Sequence, residues 1–263
     1  MQLNSVALKQ LSQLSPKTRA DLLREVRQRI DRHESRRKLW RYYPDEGPLR
    51  RDLYPQHVAF FDAGADQGER AIIAANRTGK STAAAFELTL HLTGHYPAWW
   101  RGRRFSRPIS AWAAGEDFNA VRDSMQEILF GKPEAIGTGM IPGDDLLNHA
   151  AGRGVPDGIH SASVRHVSGG ASSLVLKTYE QGREAFQAAK IDVGWCDEEP
   201  PMPIYTEFLT RLMSTVPGEP NGIMMATFTP LKGMSDVVRA FLGPDWKPPV
   251  APSEFGADER PSA

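Results

Sequence analysis

The sequence of 263 residues contains a single cysteine, Cys196. One cysteine excludes an intramolecular disulfide framework and a zinc site built from cysteines. Long hydrophobic runs are also lacking, since the longest uncharged stretch, Leu88 to Trp100, has 13 residues and includes histidine, glycine and proline. That stretch is too short to span a bilayer. The first 17 residues lack a basic start followed by an apolar block, so we expect a cytosolic protein.

The chain has no net charge, because 32 Lys and Arg residues balance 32 Asp and Glu residues. Taken alone, this balance argues against a small basic nucleic-acid module. The charges are unevenly distributed, however. Residues 1–51 contain 13 basic and six acidic residues, a balance of +7, so the remainder carries −7. A basic N-terminal arm therefore precedes a mildly acidic body.

The arm, residues 1–48, is predicted to be helical. Ser15 and Pro16 resemble an N-cap followed by proline in the first turn of a helix. An apolar stripe at helical spacing follows, formed by Leu22, Leu23, Val26 and Ile30. Two interpretations of the arginines around this stripe remain open. In the first, the helix is solvated and the long arginine side chains cover apolar neighbours. In the second, the arginines form a basic surface that faces DNA or a partner.

Residues 49–243 alternate short apolar runs with helical patterns, which predicts an α/β domain with a largely parallel sheet. Strands are predicted over 71–74, 108–114, 164–167, 173–179, 191–196 and 223–227, and helices over 82–92, 116–130, 204–213 and 235–242. The strands 164–167 and 173–179 are candidates for a hairpin. Residues 131–160 are expected to form a loop insertion. Residues 244–263 contain five prolines and are expected to form a linker or disordered tail.

The segment Ala74 to Ser81, AANRTGKS, lies between a predicted strand and a predicted helix, and fits the P-loop pattern GxxxxGK[ST] except that Ala74 replaces the first glycine. In such a loop, N–H groups and the helix N-terminus point at the β-phosphate. Gly79 allows close approach, Lys80 reaches the β- and γ-phosphates, and Ser81 coordinates Mg²⁺. The predicted ATP-binding residues are Ala75, Asn76, Arg77, Thr78, Gly79, Lys80, Ser81 and Thr82.

A mainly apolar strand that runs into adjacent carboxylates follows about a hundred residues later, over 191–199. Asp197 is predicted to hold Mg²⁺ with Ser81, directly or through water. Glu198 is predicted to orient and deprotonate the attacking water, and Glu199 is an alternative base. Asp192 interrupts the apolar pattern of this strand.

Two smaller signals accompany these motifs. Gln56 lies 18 residues before Ala74, where its amide could read the adenine edge through paired hydrogen bonds. Residues 224–230 form a strand that ends in hydroxyl groups, which suits the sensing of a γ-phosphate.

In this order, the segments resemble the large terminase subunit of tailed double-stranded DNA bacteriophages, specifically its N-terminal packaging ATPase. The resemblance runs from about Arg50 to Leu242. It rests on Gln56 at its spacing and on AANRTGKS at 74–81, LVLKTYEQGREAFQAAKID at 174–192, WCDEEPP at 195–201, IYTEFLTR at 204–211 and ATFTPLKGMS at 226–235. It implies a P-loop NTPase of the RecA/ASCE type.

The resemblance also implies roles by position. Gln56 corresponds to the adenine-recognition glutamine, Asp197 to the magnesium-site acid and Glu198 to the catalytic glutamate. Thr227 to Pro230, including Thr229, correspond to the motif that couples hydrolysis to movement. The implied protein is an ATP-driven, Mg²⁺-dependent motor that pushes double-stranded DNA through the portal into a prohead.

Its implied partners are DNA, the portal protein, the small terminase subunit and further copies of itself in a ring, usually of five. It would act in the host cytoplasm and transiently on the portal vertex, without remaining in the virion.

The sequence departs from the family pattern in two places. Many terminases carry Arg-Gly about eleven residues before the catalytic glutamate, where this chain has Gln187-Ala188. Arg183 is then the nearest candidate for an arginine that acts on the neighbouring subunit's ATP, and Arg77 could act in cis. The chain also stops soon after the coupling motif, so we expect no nuclease activity from it.

Two other functional classes remain open. One is a P-loop enzyme of another kind, such as a helicase-like translocase or a nucleotide kinase. The other is an assembly factor that binds ATP structurally. Candidate DNA contacts are the basic arm, Arg101 to Arg104, Arg153 and Arg165, and the sequence does not choose among them.

Overall fold

The computed structural model describes residues 15–152, 155–187, 189–231 and 233–243. Seven strands form one sheet: β1 (Glu69–Ile73), β2 (Ser110–Gly115), β3 (Leu146–Ala151), β4 (Ile159–Arg165), β5 (Ala171–Thr178), β6 (Val193–Asp197) and β7 (Ile223–Phe228). Their order across the sheet is β1-β7-β6-β2-β5-β4-β3. The first five strands of that order run parallel, whereas β4 is antiparallel to β5 and β3 to β4. The predicted α/β class with a mostly parallel sheet is confirmed.

Helices accompany the sheet along the chain. They are α1 (Pro16–Ser35), α2 (Pro55–Ala63), α3 (Lys80–Thr93), α4 (Phe118–Ala120, continued by a π-helical stretch Val121–Gln126 and by Glu127–Phe130), α5 (Met202–Leu212) and α6 (Asp236–Leu242). Short 3₁₀ turns occur at Lys38–Arg41, Arg51–Leu53, Pro133–Ala135, Tyr179–Gln181 and Arg183–Phe186. Within the described residues, no helix combines the length and the apolar character needed to cross a bilayer.

Helices pack on both faces of the parallel part of the sheet. On one face, Phe61 of α2 and Phe86 of α3 join a core that includes Trp195 of β6. On the other face, Phe208 of α5 packs in a second core with Trp112 of β2. Strands β2, β6 and β7 are consequently buried along almost their whole length, as parallel strands covered on both faces are.

Strand β7 lies between β1 and β6, and this order positions the predicted motifs. Ile73, at the end of β1, is in register with Phe228 of β7, and Asp197, at the end of β6, is in register with Thr227. Neighbouring strands lie nearly 5 Å apart, so the ends of β1 and β6 are about 10 Å apart. The phosphate-loop segment and the acidic segment therefore emerge at the same edge of the sheet, on either side of the end of β7.

The predicted hairpin between strands around 164–167 and 173–179 is confirmed by the antiparallel pairing of β4 and β5. The loop predicted over 131–160 is wrong in part, because β3 and the first residues of β4 lie inside it. Strand β3 is an edge strand whose residues are almost all exposed, and its pairing with β4 contains irregularities. It therefore lacks the apolar alternation by which a strand is recognised in sequence.

The N-cap predicted at Ser15 is confirmed, because its hydroxyl accepts a 3.2 Å hydrogen bond from the Thr18 N–H and Pro16 opens α1. The apolar stripe of α1 is exposed by 37% at Leu22 to 52% at Leu23. After α1, Leu39 and Tyr43 pack into the core of the body. The division at residue 48 stays a prediction, and the predicted helix within 1–14 and the tail 244–263 lie outside the described residues.

A charged cluster is buried where β1 meets α3. The Arg70 guanidinium donates hydrogen bonds of 2.6 and 3.2 Å to the two carboxylate oxygens of Glu87. The His91 Nε2 atom lies 3.2 Å from one of these oxygens. Burial alone would raise the pKa of Glu87, but Arg70 and His91 outweigh it and hold the pKa below its ordinary value. Burial lowers the pKa of His91. The cluster fixes the strand before the phosphate loop to the helix after it.

We predict that Glu87→Gln lowers the free energy of unfolding by about 3–5 kcal/mol, because it leaves the buried Arg70 guanidinium without a counter-charge. Urea unfolding of the full chain measures the change. The matched control is Glu25→Gln, which removes the exposed Glu25–Arg29 pair of α1 and should cost under about 1 kcal/mol. Equal losses in the two variants would contradict a structural role for the buried cluster.

Candidate nucleotide-binding site

The segment between β1 and α3 is shaped as a phosphate loop. Gly79 is the N-cap of α3 and has φ = 83°. The conformation favours glycine, and a Cβ atom at this position would lie only 3.0 Å from the His57 ring. The first intrahelical bond of α3 runs from the Ala83 N–H to the Gly79 carbonyl at 2.9 Å. The N–H groups of the preceding turn are therefore available to an anion.

Lys80 is buried beneath this loop. Its Nζ atom donates to the Ala75 carbonyl at 3.1 Å and to the Thr229 hydroxyl at 3.0 Å. The Thr229 hydroxyl lies in turn 2.9 Å from the Ala74 carbonyl and 2.8 Å from the Asn76 side-chain oxygen. Thr229, the residue directly after β7, therefore holds Lys80 and the first half of the loop together.

The remaining predicted loop residues lie as follows. Residues 75–78 are exposed, and the Thr78 hydroxyl donates to the Ala75 carbonyl at 3.0 Å. Arg77 has φ = 65°, an uncommon value for a residue with a side chain. Thr82 is half-buried in the first turn of α3. The exposed loop surface is where the predicted phosphates would bind.

Asp197, the last residue of β6, is buried between two hydroxyl groups. Its Oδ1 atom accepts 2.7 Å hydrogen bonds from Ser81 of α3 and from Thr227 of β7. The Trp195 indole donates to the Thr227 hydroxyl at 2.8 Å, which orients that hydroxyl toward the carboxylate. Burial raises the pKa of Asp197, and the two hydroxyl hydrogen bonds oppose this shift.

Ser81 and Asp197 provide two adjacent oxygen ligands, and oxygen is what Mg²⁺ prefers. The described ranges contain no group of three or more His, Cys, Asp and Glu side chains that could hold a metal ion. A site with one carboxylate and one hydroxyl nevertheless fits Mg²⁺, since this ion takes most other ligands from phosphates and water. The residues present therefore fit the predicted ion.

Glu198 follows Asp197 in a left-handed conformation, with φ = 64°. Its N–H donates to the Thr227 carbonyl at 2.8 Å, and its side chain is half-buried. The alternative base, Glu199, has a buried Oε2 atom for which the described residues offer no hydrogen-bond partner. Both side chains are half-buried, so the choice between Glu198 and Glu199 as the base stays a prediction.

Gln56 is exposed at the second position of α2, next to the buried His57. The His57 ring lies 2.9 Å from the Tyr43 hydroxyl and 3.2 Å from the Thr78 carbonyl, and it stacks on Tyr54. Burial lowers the pKa of His57. Sequence reasoning missed this histidine, although its place directly after Gln56 is a signal that could have found it.

Arg183 follows the phosphate loop by about a hundred residues in the sequence, and its side chain is hydrogen-bonded to α5. Its Nε atom donates to Glu207 at 2.9 Å, while its side chain remains 58% exposed. Burial would raise the pKa of Glu207, but hydrogen bonds from Arg183 and Arg211 outweigh it and keep the pKa below its ordinary value. The roles assigned to Arg183 and Arg77 stay predictions.

The arginines of the predicted DNA-contacting segments differ in their exposure and in their hydrogen bonds to the protein. Arg101 and Arg165 are exposed. Arg103 donates to the Asn221 carbonyl, and Arg104 donates to the Trp100 carbonyl at 3.0 Å. Asn221 precedes β7, so Arg103 lies at the edge of the sheet opposite the phosphate loop. Arg153 lies outside the described residues.

We predict that Asp197→Asn raises the midpoint of thermal unfolding at pH 7 without Mg²⁺ and nucleotide. Because the folded state raises the pKa of Asp197, the charged carboxylate destabilises the fold above that pKa, and this cost is lost as the pH falls through it. The difference in unfolding midpoint between Asp197→Asn and the wild type should therefore become smaller as the pH falls from 7 to about 4. The exposed Asp66→Asn is the control. A lower midpoint for Asp197→Asn at pH 7 would contradict this reasoning.

The sequence is similar to known proteins along most of its length. A family model described as terminase large subunit, T4likevirus-type, N-terminal, matches residues 71–258. The terminase large subunit of Salmonella phage P22 is 34% identical over 252 residues, which cover 88% of this chain and 48% of that protein. The chain thus spans about half the length of this curated relative.

Solved structures are similar at lower identity. The large terminase of a thermophilic bacteriophage in complex with ADP has a TM-score of 0.41 and 12% identity, over 66% of this chain and 37% of that chain. The large terminase ATPase domain of Thermus phage P74-26 has a TM-score of 0.43 and 18% identity, over 73% of each chain. The family match, which spans most of the sequence, confirms the resemblance carried by the motifs. The chain belongs to the family of T4likevirus-type terminase large subunits, in which it matches the N-terminal region.

Proposed function

We propose that this chain hydrolyses ATP with Mg²⁺ and that hydrolysis drives double-stranded DNA through a portal into a prohead. The observation that carries the proposal is the pair of contacts from the end of β7. Thr229 holds Lys80 of the phosphate loop, and Thr227 holds the Asp197 carboxylate. Membership of the terminase family supports the DNA-packaging part of the proposal.

In the proposed site, loop N–H groups and Lys80 bind the β- and γ-phosphates of ATP. Lys80 exchanges its present contacts with Ala75 and Thr229 for phosphate oxygens. Ser81 and Asp197 would hold Mg²⁺, which would neutralise phosphate charge when bound. Gln56 contacts the adenine edge from the start of α2.

In the proposed hydrolysis, Glu198 accepts a proton from the attacking water. The water oxygen bonds to the γ-phosphorus as the bond to the β–γ bridging oxygen breaks, and the products are ADP and phosphate. Lys80 stabilises the charge that develops on the phosphate oxygens. The fixed backbone of Glu198, whose N–H is bound to Thr227, supports its assignment as the base.

For coupling, we assign the end of β7. Loss of the γ-phosphate changes the partners of Lys80 and so of Thr229, whereas Thr227 contacts the acidic strand. The chain then continues to α6, which begins after the N-cap Ser235. In this proposal, Thr227 and Thr229 pass a change at the phosphates to the segment that follows β7.

The proposed partners are double-stranded DNA, the portal protein, the small terminase subunit and further copies of the chain in a ring. Action in the host cytoplasm and transiently at the portal vertex is part of the same proposal. Arg183, with its exposed side chain, remains the candidate to act on a neighbour's ATP, and Arg77 remains the candidate to act in cis. Either guanidinium would stabilise charge on the γ-phosphate.

We predict that purified chain releases phosphate from ATP and that Glu198→Gln reduces kcat by about 10²–10⁴-fold, because a positioned base is lost. Glu198→Gln should still bind ATP with Mg²⁺. Lys80→Ala should lose both turnover and tight nucleotide binding, because the charge that reaches the phosphates is gone. Steady-state phosphate release and equilibrium binding of a fluorescent ATP analogue measure the two effects.

Exposed residues of the same types serve as controls. Lys190→Ala and Glu180→Gln alter surface side chains and should leave turnover unchanged. Binding of ATP without turnover by the wild-type chain, alone or with DNA, would favour a structural role for the nucleotide. Turnover retained by both Lys80→Ala and Glu198→Gln would overturn the catalytic assignment.

A further inference from the structure

Tyr179 is a buried residue that the proposed chemistry does not use. It follows β5 directly and begins a 3₁₀ turn. Its ring packs in the core formed with α5, close to the buried strands β2 and β6. Its hydroxyl therefore reaches the ends of those strands from inside the protein, beneath Asp197 and Glu198.

The hydroxyl lies among three main-chain carbonyl oxygens. These are the oxygens of Glu198 at 2.9 Å, Asp197 at 3.2 Å and Ala114 at 3.3 Å. A phenol has one proton to donate, and the Glu198 carbonyl is the nearest acceptor. Burial raises the pKa of Tyr179 well above its ordinary value, so the group remains a donor at any working pH.

The residue that receives this bond is held in an unfavourable conformation. Glu198 has φ = 64°, in the left-handed region that side chains with a Cβ avoid. Such a conformation persists only where the surroundings fix it on several sides. Here the Glu198 N–H is bound to the Thr227 carbonyl at 2.8 Å, and the Glu198 carbonyl is bound to Tyr179.

We propose that Tyr179 is a positioning residue for catalysis: its hydroxyl holds the Glu198 peptide in the left-handed conformation and so aims the Glu198 carboxylate at the attacking water. This inference rests on the proposed function, in which Glu198 is the base. Without the hydroxyl, one of the two backbone anchors of Glu198 is lost. Glu198 then relaxes toward an ordinary backbone conformation, and its side chain points elsewhere.

The test is Tyr179→Phe in the full chain, because phenylalanine keeps the ring and removes only the hydroxyl. We expect kcat to fall by about 10-fold or more, since small displacements of a catalytic group are costly. The KM for ATP should stay within about twofold of wild type, because the phosphate loop is untouched. Hydrogen exchange of the Glu198 amide should also accelerate.

Tyr96→Phe is the matched control. The Tyr96 hydroxyl is also bonded inside the protein, to His91 and the Phe105 N–H, but it lies beyond the far end of α3, about 20 Å from the phosphate loop. This variant should lose comparable stability and keep the wild-type kcat and Glu198 exchange. A purely structural role for Tyr179 would make the two variants behave alike.

Two results would overturn the inference: an unchanged kcat in Tyr179→Phe, or an equal fall in kcat in both variants. Failure of the proposed function is distinguishable, because the wild-type chain would then lack turnover that depends on Lys80. In that case the exchange rate of the Glu198 amide still tests whether Tyr179 holds this peptide. An exchange rate equal to that of Tyr96→Phe would overturn that part as well.

Discussion

The site depends on the two hydrogen bonds that the Ser81 and Thr227 hydroxyls donate to the Asp197 carboxylate. Ser81 belongs to the helix after the phosphate loop, Thr227 belongs to β7, and Asp197 ends β6. A single oxygen atom therefore joins three elements that are distant in sequence. Burial of a carboxylate is costly, and the two hydrogen bonds offset part of that cost. The proposed Mg²⁺ would offset the remaining cost when bound.

The features that the sequence predicts have local causes. The glycine, lysine and serine of the phosphate loop are consecutive in sequence, so a pattern of eight residues is enough to recognise the loop. Asp197 ends a buried strand and Glu198 follows it, and the carboxyl ends of parallel strands lie at one edge of the sheet. The alternation of strands and helices predicted the fold class, and the spacing of motifs predicted which ends meet.

The remaining features depend on contacts that no local pattern encodes. The Tyr43–His57 pair, the buried cluster of Arg70 and Glu87, and the bond from Tyr179 to Glu198 each join residues whose pairing requires the folded chain. Strand β3 was missed for another reason, since an exposed edge strand needs no apolar face. The meeting of Ser81 with Asp197 was therefore predictable from the sequence, while the contacts that orient these segments were not.

Thr229 contacts Lys80 and Thr227 contacts Asp197, so the end of β7 touches both halves of the site, as the proposed cycle requires. The proposal that ATP hydrolysis moves DNA is tested most directly by ATP turnover of the full chain, with and without cognate portal–prohead and linear duplex DNA. We predict faster turnover with both partners together, accompanied by nuclease-protected DNA inside the prohead. Turnover unchanged by either partner, with no protected DNA, would contradict it.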